Sequence, residues 1–233
     1  MKISYVWFDI GYTLLYMQRE ITYQQVLKEY GIELSLNALE MHFHLTDKLF
    51  MREYPGIFLK ERAVYMPWFL GVLNYRLGIS LNVCEVDGRW KKIQDETLNY
   101  WLPFDGVHQA LEELQKKSIG IGIISNWDHS AKEILKKTKL NRYFKHKVIS
   151  SEIGYTKPSA EIFEAAIDKA GVNARECLYV GDNYYDDAIG CRKVGMNPLI
   201  INRFGLLGVE EIKDCPIITH IGEVIRYCRK AKK

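Results

Sequence analysis

The strongest constraint on the fold is a recurring pattern in which a short, apolar, mostly β-branched run stops abruptly at small or polar residues. Six such runs occur, at 3–8, 121–124, 147–149, 177–180, 198–201 and 217–219. Short apolar runs bounded by turn residues are typical of buried strands. Segments with helical spacing of apolar residues lie between several of them, at 107–114, 162–170 and 186–194. Strands that alternate with helices predict an α/β fold with a mostly parallel sheet and helices on both faces.

One long segment interrupts this alternation. Residues 16–99 contain four predicted helices, at 20–30, 37–51, 61–76 and 86–100, and no convincing buried strand. A block of ~85 residues is too long for a loop. We therefore predict two domains, a core domain formed by 1–15 and 100–233 and an inserted all-helical domain formed by 16–99. Within the inserted domain we expect an aromatic-rich core to which Tyr65, Trp68, Phe69 and Tyr75 contribute.

Composition excludes several classes of protein. No apolar run approaches the ~20 residues of a membrane span. The 32 Lys and Arg against 29 Asp and Glu give a net charge of only +3, which argues against a nucleic-acid-binding surface. The cations within 226–233 are interpreted as the end of a solvated C-terminal helix. Five widely spaced cysteines and the absence of a signal-peptide pattern predict reduced thiols in a cytoplasmic protein.

Polar clusters follow four of the predicted strands. They are Asp9-Ile10-Gly11-Tyr12-Thr13, Ser125-Asn126, Thr156-Lys157-Pro158, and Gly181-Asp182 followed by Asp186-Asp187. Ligands of open parallel sheets bind beyond the carboxyl ends of the strands. Carboxylates together with phosphate oxygens hold Mg²⁺, and lysine or backbone N–H groups hold phosphate. The clusters therefore predict a site for an anion together with a cation.

The motifs W-F-D-I-G-Y-T-L, I-I-S-N, K-P and V-G-D-N-Y-Y-D-D resemble, in order and spacing, those of the haloacid dehalogenase-like (HAD) hydrolase superfamily. The resemblance covers essentially the whole chain and is closest to a subgroup of small phosphatase-like members. It implies a Rossmann-like core, and the helical insertion resembles the superfamily's C1-type cap domain. The activity implied is that of a Mg²⁺-dependent phosphatase, which acts on a small phosphorylated metabolite through an aspartyl-phosphate intermediate.

The resemblance also implies roles for individual residues. Asp9 matches the nucleophile, and Lys157 matches the cation that neutralises both nucleophile and phosphate. Thr13, Ser125 and the backbone N–H of Asn126 match groups that hold the phosphoryl group. From the residues alone, Thr13 and Ser125 are equally well explained as helix caps, and Lys157 as a solvated loop residue.

The implied metal ligands are Asp9, the backbone carbonyl of Gly11, Asp182 and Asp187. The spacing leaves open whether Asp187 or Asp186 supports the metal. A charge at the N-terminus of a helix is the structural alternative for Asp186.

Gly11 is the main departure from the family pattern. HAD phosphatases usually carry a second aspartate at this position, two residues after the nucleophile, as general acid and base. Loss of a positioned proton donor typically costs ~10² to 10⁴ in rate. A slow phosphatase is therefore the leading hypothesis.

Two alternatives follow from the same residues. A metal-independent 2-haloacid dehalogenase also lacks the second aspartate, but its fourth motif resembles S-x-N-x-x-D, whereas this chain has Asp182 and Tyr184 at the first two of those positions. The other alternative is a non-catalytic, phosphate-binding or regulatory protein of the same fold. The sequence identifies neither the substrate nor the oligomeric state.

Overall fold

The computed structural model of the protein describes residues 2–96 and 101–228. The chain forms two compact units. One comprises Met1–Tyr16, Leu102–Leu206 and Glu210–Lys233, and the other comprises Met17–Trp101 and Leu207–Val209. We call them the sheet unit and the helical unit.

The regular elements are numbered along the chain. The strands are β1 (Tyr5–Phe8), β2 (Leu15–Met17), β3 (Trp101–Pro103), β4 (Gly120–Ser125), β5 (His146–Ile149), β6 (Cys177–Gly181), β7 (Asn197–Ile201) and β8 (Ile217–Ile218). The α-helices are α1 (Arg19–Glu29), α2 (Leu36–Glu53), α3 (Arg62–Leu77), α4 (Val83–Glu96), α5 (Val107–Lys116), α6 (Ala131–Lys137), α7 (Ser150–Ile153), α8 (Ala160–Ala170), α9 (Ile189–Lys193) and α10 (Val224–Tyr227). A π-helical segment, Tyr184–Ala188, directly precedes α9.

The sheet unit is built on a six-stranded sheet with the order β5-β4-β1-β6-β7-β8, in which all paired strands are parallel. β1 lies between β4 and β6, and Val6 is in register with Ile121 on one side and Leu178 on the other. Because parallel strands end at the same edge, the residues after β1, β4 and β6 come together there. The predicted α/β class with a parallel, helix-flanked sheet is confirmed.

A close fit between β1 and β4 holds the centre of this sheet. Trp7 is fully buried and in register with Gly122. A Cβ atom at position 122 would lie 2.3 Å from the Trp7 ring, so a side chain there would collide with the indole. Glycine at this position lets the bulky ring pack against the neighbouring strand, and burial of the ring stabilises the sheet.

The helical unit packs α1, α2, α3 and α4 around an aromatic core. Tyr23 meets the rings of Phe43 and Trp90 edge-on, with centroids 5.5 and 5.1 Å apart. Phe69 and Leu70 of α3 are buried in the same cluster. The four predicted helices are present with ends shifted by one to three residues, except that the last four residues of the predicted 86–100 helix lie outside the described residues.

The prediction for the aromatic residues of α3 is wrong in part. Phe69 is buried and Tyr65 packs against the core, whereas Trp68 and Tyr75 are 58% and 86% exposed. At 3.6 residues per turn, Trp68 and Tyr75 share one face of the helix, but that face is turned away from the core. Helical spacing groups residues without telling which group is buried.

Other details also differ from the sequence predictions. β2 and β3 form a separate two-stranded sheet that was not predicted, since strands of three residues are too short for a periodic pattern. The helix predicted at 186–194 is replaced by the π-helical segment and the shorter α9. α10 is short, and 229–233 lie outside the described residues. Among the described helices, none has the length and apolar character of a membrane span.

Candidate active site

Asp9 directly follows β1 and is hydrogen-bonded to the neighbouring strand of the sheet. Its backbone N–H donates to the Val180 carbonyl at 2.9 Å, and the residue is only 9% exposed. The chain then turns sharply, because the N–H groups of Leu14 and Leu15 both donate to the Ile10 carbonyl. Gly11 pairs with Leu15 in an isolated bridge inside this turn. The turn fixes a carboxylate at the carboxyl edge of the central strand.

Lys157 is the centre of the site. Its Nζ lies 2.9 Å from Asp9 Oδ1 and 2.6 Å from Asp187 Oδ1, and it donates to the Tyr179 hydroxyl at 2.9 Å. The three donors of the ammonium group thus have three acceptors, and the residue is 3% exposed. A solvated loop lysine is therefore excluded, since a buried charge of this kind is stabilised only by such partners.

Asn126 holds the backbone of Lys157. Its Oδ1 accepts from the Lys157 N–H at 2.7 Å, and its Nδ2 donates to the Lys157 carbonyl at 3.0 Å. The side chain of Asn126 therefore positions Lys157. The sequence predicts a role only for the backbone N–H of Asn126, not for its side chain.

The π-helical segment brings Asp187 over the end of β6. The Asn183 N–H donates to Asp187 Oδ2 at 2.9 Å, and Asp187 is 1% exposed. A Cβ atom at position 181 would lie 2.1 Å from the same Oδ2, so Gly181 is required for this close approach. Of the two carboxylates that the spacing left open, the structure places Asp187 against Lys157.

Three buried carboxylates converge at this edge. Asp9, Asp182 and Asp187 each offer an oxygen, and these oxygens lie within 4.8 Å of one another. Asp186 is adjacent and buried. Its Oδ2 accepts from Asn183 Nδ2 at 2.8 Å, while its Oδ1 has no hydrogen-bond partner among the residues that the structure describes.

Burial and the neighbouring charges shift the pKa values of these groups. Burial raises the pKa of Asp9, which Lys157 opposes and Asp187 reinforces. Burial alone would lower the pKa of Lys157, but the carboxylates of Asp187 and Asp9 outweigh it and raise that pKa above its ordinary value. Burial, followed by repulsion from Asp187, raises the pKa of Asp186 to about 7. The site thus holds more carboxylates than cations in a place that water hardly reaches.

Thr13 and Ser125 are both buried, and neither caps a helix. Ser125 is the last residue of β4, and its buried hydroxyl makes no hydrogen bond within the described residues. Thr13 lies in the turn between β1 and β2, and its Oγ1 makes no hydrogen bond within the described part of the chain. The helix-cap alternative is therefore wrong for both residues.

Sequence reasoning did not single out Tyr179. This fully buried residue of β6 donates either to the Ile124 carbonyl at 2.9 Å or to Asp187 Oδ1 at 3.1 Å, and it accepts from Lys157. Burial, followed by the charges of Asp187 and Asp9, raises its pKa well above the ordinary value. The only signal in the sequence is a tyrosine within an otherwise aliphatic strand.

Comparison with known proteins decides the family. Residues 7–201 match the model of the haloacid dehalogenase-like hydrolase family. The chain belongs to this family. The haloacid dehalogenase-like hydrolase domain-containing protein 3 of Xenopus laevis is 26% identical over 208 residues, which cover 87% of this chain and 85% of that protein. The resemblance inferred from the four motifs is confirmed, and the protein is a hydrolase of this family.

Two further proteins show how far the likeness extends. The magnesium-bound HAD hydrolase of Bacillus subtilis has the same fold, with a TM-score of 0.68 and 18% identity over 99% of this chain and 100% of that one. The glyceraldehyde 3-phosphate phosphatase of Methanothermobacter thermautotrophicus is 30% identical over 106 residues, or 43% of this chain and 45% of that enzyme.

Proposed function

We propose that this hydrolase is a Mg²⁺-dependent phosphatase that acts on a small phosphorylated metabolite, with Asp9 as the nucleophile. The observation that carries the proposal is the arrangement around Lys157. This buried cation contacts both Asp9 and Asp187, and Asp182 joins the same group of oxygens. The partial likeness to an archaeal phosphatase supports the same reaction class.

The donor set fits Mg²⁺. Asp9, Asp182 and Asp187 offer oxygens that all lie within 4.8 Å of one another, and carboxylate oxygens are ligands that Mg²⁺ prefers. Three carboxylates outnumber the one ammonium group, so a further cation is electrostatically favoured. Asp9, Asp182 and Asp187 would hold the ion, and the carbonyl of Gly11 is the proposed fourth ligand. Bound Mg²⁺ would neutralise the charge of the phosphoryl oxygens.

The chain's own groups account for the first chemical step. A carboxylate oxygen of Asp9 attacks phosphorus, the ester P–O bond breaks, and the leaving group departs with the bonding electron pair. Lys157 offsets the charge of both Asp9 and the phosphoryl group. The hydroxyls of Thr13 and Ser125 are the proposed donors to phosphoryl oxygens, and neither makes a hydrogen bond in the described structure.

Gly11 supplies no proton for the leaving group and no base for the attack of water on the aspartyl-phosphate. Both steps therefore lack the general catalysis that is typically worth ~10² to 10⁴. We infer a slow turnover with activated esters favoured in the first step, and accumulation of phosphate on Asp9. The helical unit, which resembles a cap by sequence, is proposed to select the leaving group.

A haloacid dehalogenase fits less well. The buried carboxylate of Asp182 would repel the carboxylate of a haloacid, because like charges repel strongly where water is excluded. We therefore do not extend that activity to this chain.

The test is a panel of phosphorylated metabolites assayed for phosphate release with Mg²⁺ and with EDTA, with chloride release from 2-haloacids measured in parallel. We expect phosphate release that EDTA abolishes. Asp9→Asn should abolish it, and Asp168→Asn, at an exposed aspartate of α8, should not. Chloride release that survives EDTA would contradict the proposal. Binding of Mg²⁺ and phosphate without turnover of any substrate would identify the non-catalytic alternative.

The second test restores the carboxylate. Gly11→Asp should raise turnover of alkyl phosphates, at most by the ~10² to 10⁴ of general acid–base catalysis, and should raise it less for aryl phosphates. Acid-quench detection of phosphate on Asp9 should show less accumulation in this variant. Ordinary alkyl-phosphatase rates in the wild type would show that another group supplies the proton.

A further inference from the structure

The outer face of α3 carries a continuous apolar strip. Val64, Trp68 and Tyr75 are 51%, 58% and 86% exposed, and Gly71 lies between the two aromatic residues. At 100° per residue these four positions fall within an arc of about 60°. No Asp, Glu, Lys or Arg occurs from 63 to 75. Exposed apolar strips of this kind mark interaction surfaces, because isolated exposed residues are normal but contiguous ones are not.

The spacing of the strip makes it complementary to itself. Its residues follow one another at intervals of four, three and four, the spacing of a coiled-coil seam. If two copies of α3 pack antiparallel about a twofold axis, Trp68 faces Gly71 of the second copy, and Val64 faces Tyr75. A Cβ at position 71 would meet no atom within 4 Å, so the glycine leaves an open notch on the surface. The largest side chain of the strip thus meets the smallest.

The charges at the ends of α3 favour the same arrangement. Glu61 precedes the first turn and Arg76 lies in the last turn, and both flank the same side of the strip. In the antiparallel pair each Glu61 comes within two residue positions, about 3 Å along the axis, of Arg76 from the other copy. Glu61 makes no cap hydrogen bond of its own helix, so its side chain is available for this contact. A parallel pair would bring like charges together instead.

We propose that the chain forms an isologous dimer through α3, with Trp68 seated against Gly71 of the second copy. The helix spans 16 residues, about 24 Å, so a strip ~10 Å wide buries on the order of 500 Å² in total. Tyr54, whose ring lies 6.1 Å from that of Trp68, extends the surface. This area is below that of a permanent dimer, so the association is reversible and dependent on concentration.

Sedimentation velocity of the full chain over about two decades of concentration around the ~μM range tests the dimer. Trp68→Ala should weaken dimerisation about tenfold or more, as loss of a buried tryptophan does in other interfaces. Tyr30→Ala, at an exposed aromatic residue of the same unit, should not weaken it. A monomer at every concentration, or a dimer that Trp68→Ala leaves intact, would overturn the proposal.

Two further variants test the orientation. Glu61→Lys and Arg76→Glu should each weaken the dimer, and the double variant should restore it, because the charges then pair again. In a Cys84→Ser background, Val64→Cys mixed with Tyr75→Cys should form a disulfide, whereas neither variant alone should. Circular dichroism of each variant controls for folding. Failure of the charge exchange and of the mixed disulfide would refute this pairing even if a dimer exists.

Discussion

The two units bury polar groups in different ways. In the aromatic core of the helical unit, two buried donors meet acceptors in separate, uncharged pairs: the Trp90 indole N–H donates to Thr22 Oγ1 at 2.8 Å, and the Tyr23 hydroxyl donates to Asn74. In the sheet unit, charged groups gather at one edge, where three carboxylates face one ammonium. Hydrogen-bonded pairs in which each donor has an acceptor stabilise a core. A buried cluster with more negative than positive charges is stabilised when a ligand supplies the missing positive charge. The difference distinguishes buried polar groups that stabilise the fold from buried polar groups that bind a ligand.

The largest effect should come from removing the cation of the cluster. Lys157→Met leaves the buried carboxylates without their shared partner, and we expect a loss of about 3–5 kcal/mol in unfolding free energy together with nearly all activity. Added Mg²⁺ should recover part of the stability. Lys116→Met, at an exposed lysine of α5, should change stability by less than about 0.5 kcal/mol. Urea denaturation with and without Mg²⁺ measures this, and equal losses in the two variants would contradict it.

A cavity in the helical unit should affect stability without affecting the ion. Phe43→Ala removes a fully buried ring and should cost about 3–5 kcal/mol. Mg²⁺ affinity, measured by titration calorimetry below the unfolding temperature, should not change, because Asp9, Asp182 and Asp187 all belong to the sheet unit. A tenfold weaker Mg²⁺ affinity in Phe43→Ala would show that the core of the helical unit and the carboxylate cluster of the sheet unit are not independent.

Two tyrosines of the sheet allow a matched comparison. Tyr5 and Tyr179 each bring a hydroxyl within hydrogen-bonding distance of a carbonyl of β4, at 3.0 and 2.9 Å, but only Tyr179 contacts Lys157. Replacement of either by Phe should cost about 1–2 kcal/mol. Only Tyr179→Phe should also lower kcat, by about tenfold, with KM little changed, since it loosens the ammonium that faces Asp9. Equal kcat values for the two variants would assign Tyr179 a structural role alone.

The smallest effect is a pH dependence of the helical unit. Burial lowers the pKa of His44. The hydrogen bond that its Nε2–H donates to the Leu207 carbonyl at 2.8 Å opposes this shift, as does the charge of Asp47, whereas Lys48 and Arg19 lower the pKa. Because the folded pKa lies below the unfolded value of ~6.5, the unfolded state binds more protons as pH falls through that range. Stability contributed by neutral His44 is therefore present above pH ~6.5 and decreases below it.

His44→Gln should make the unfolding free energy less dependent on pH below that point, as measured by urea denaturation in EDTA. Asp186 acts in the opposite sense, since its raised pKa of about 7 adds stability at low pH that is lost as pH rises through 7. The comparison of variant with wild type at each pH removes this common contribution. An unchanged pH dependence in His44→Gln would show that His44 does not contribute.

The sheet and the main site residues were predictable because they depend on local patterns. β1, β4 and β6 are apolar runs that stop at polar residues, and parallel strands end at one edge, so Asp9, Ser125 and Asp182 were expected to lie near each other. Lys157 was placed by the motif order and not by periodicity. These predictions needed only strand direction and sheet class.

The remaining features depend on contacts between distant residues. The contact of Asp187 with Lys157 depends on a π-helical segment and on the space that Gly181 leaves, neither of which spacing reveals. The hydrogen bonds of Asn126 to Lys157 join positions 31 apart in the chain. The exposure of Trp68 is not predictable from the sequence, because helical periodicity carries no information about which face of the helix is covered.

The central place of β1 has a consequence for how the chain acquires its structure. Val6 pairs with Ile121 and Leu178, so β1 is synthesised well before either of its neighbouring strands. Non-local pairings of this kind slow folding, because a long loop must close before any contact forms. The helices between 19 and 96 rely on nearby partners, and we expect them to form while β1 is still unpaired. During that interval the hydrophobic segment Tyr5–Phe8 is exposed to aggregation and to chaperones.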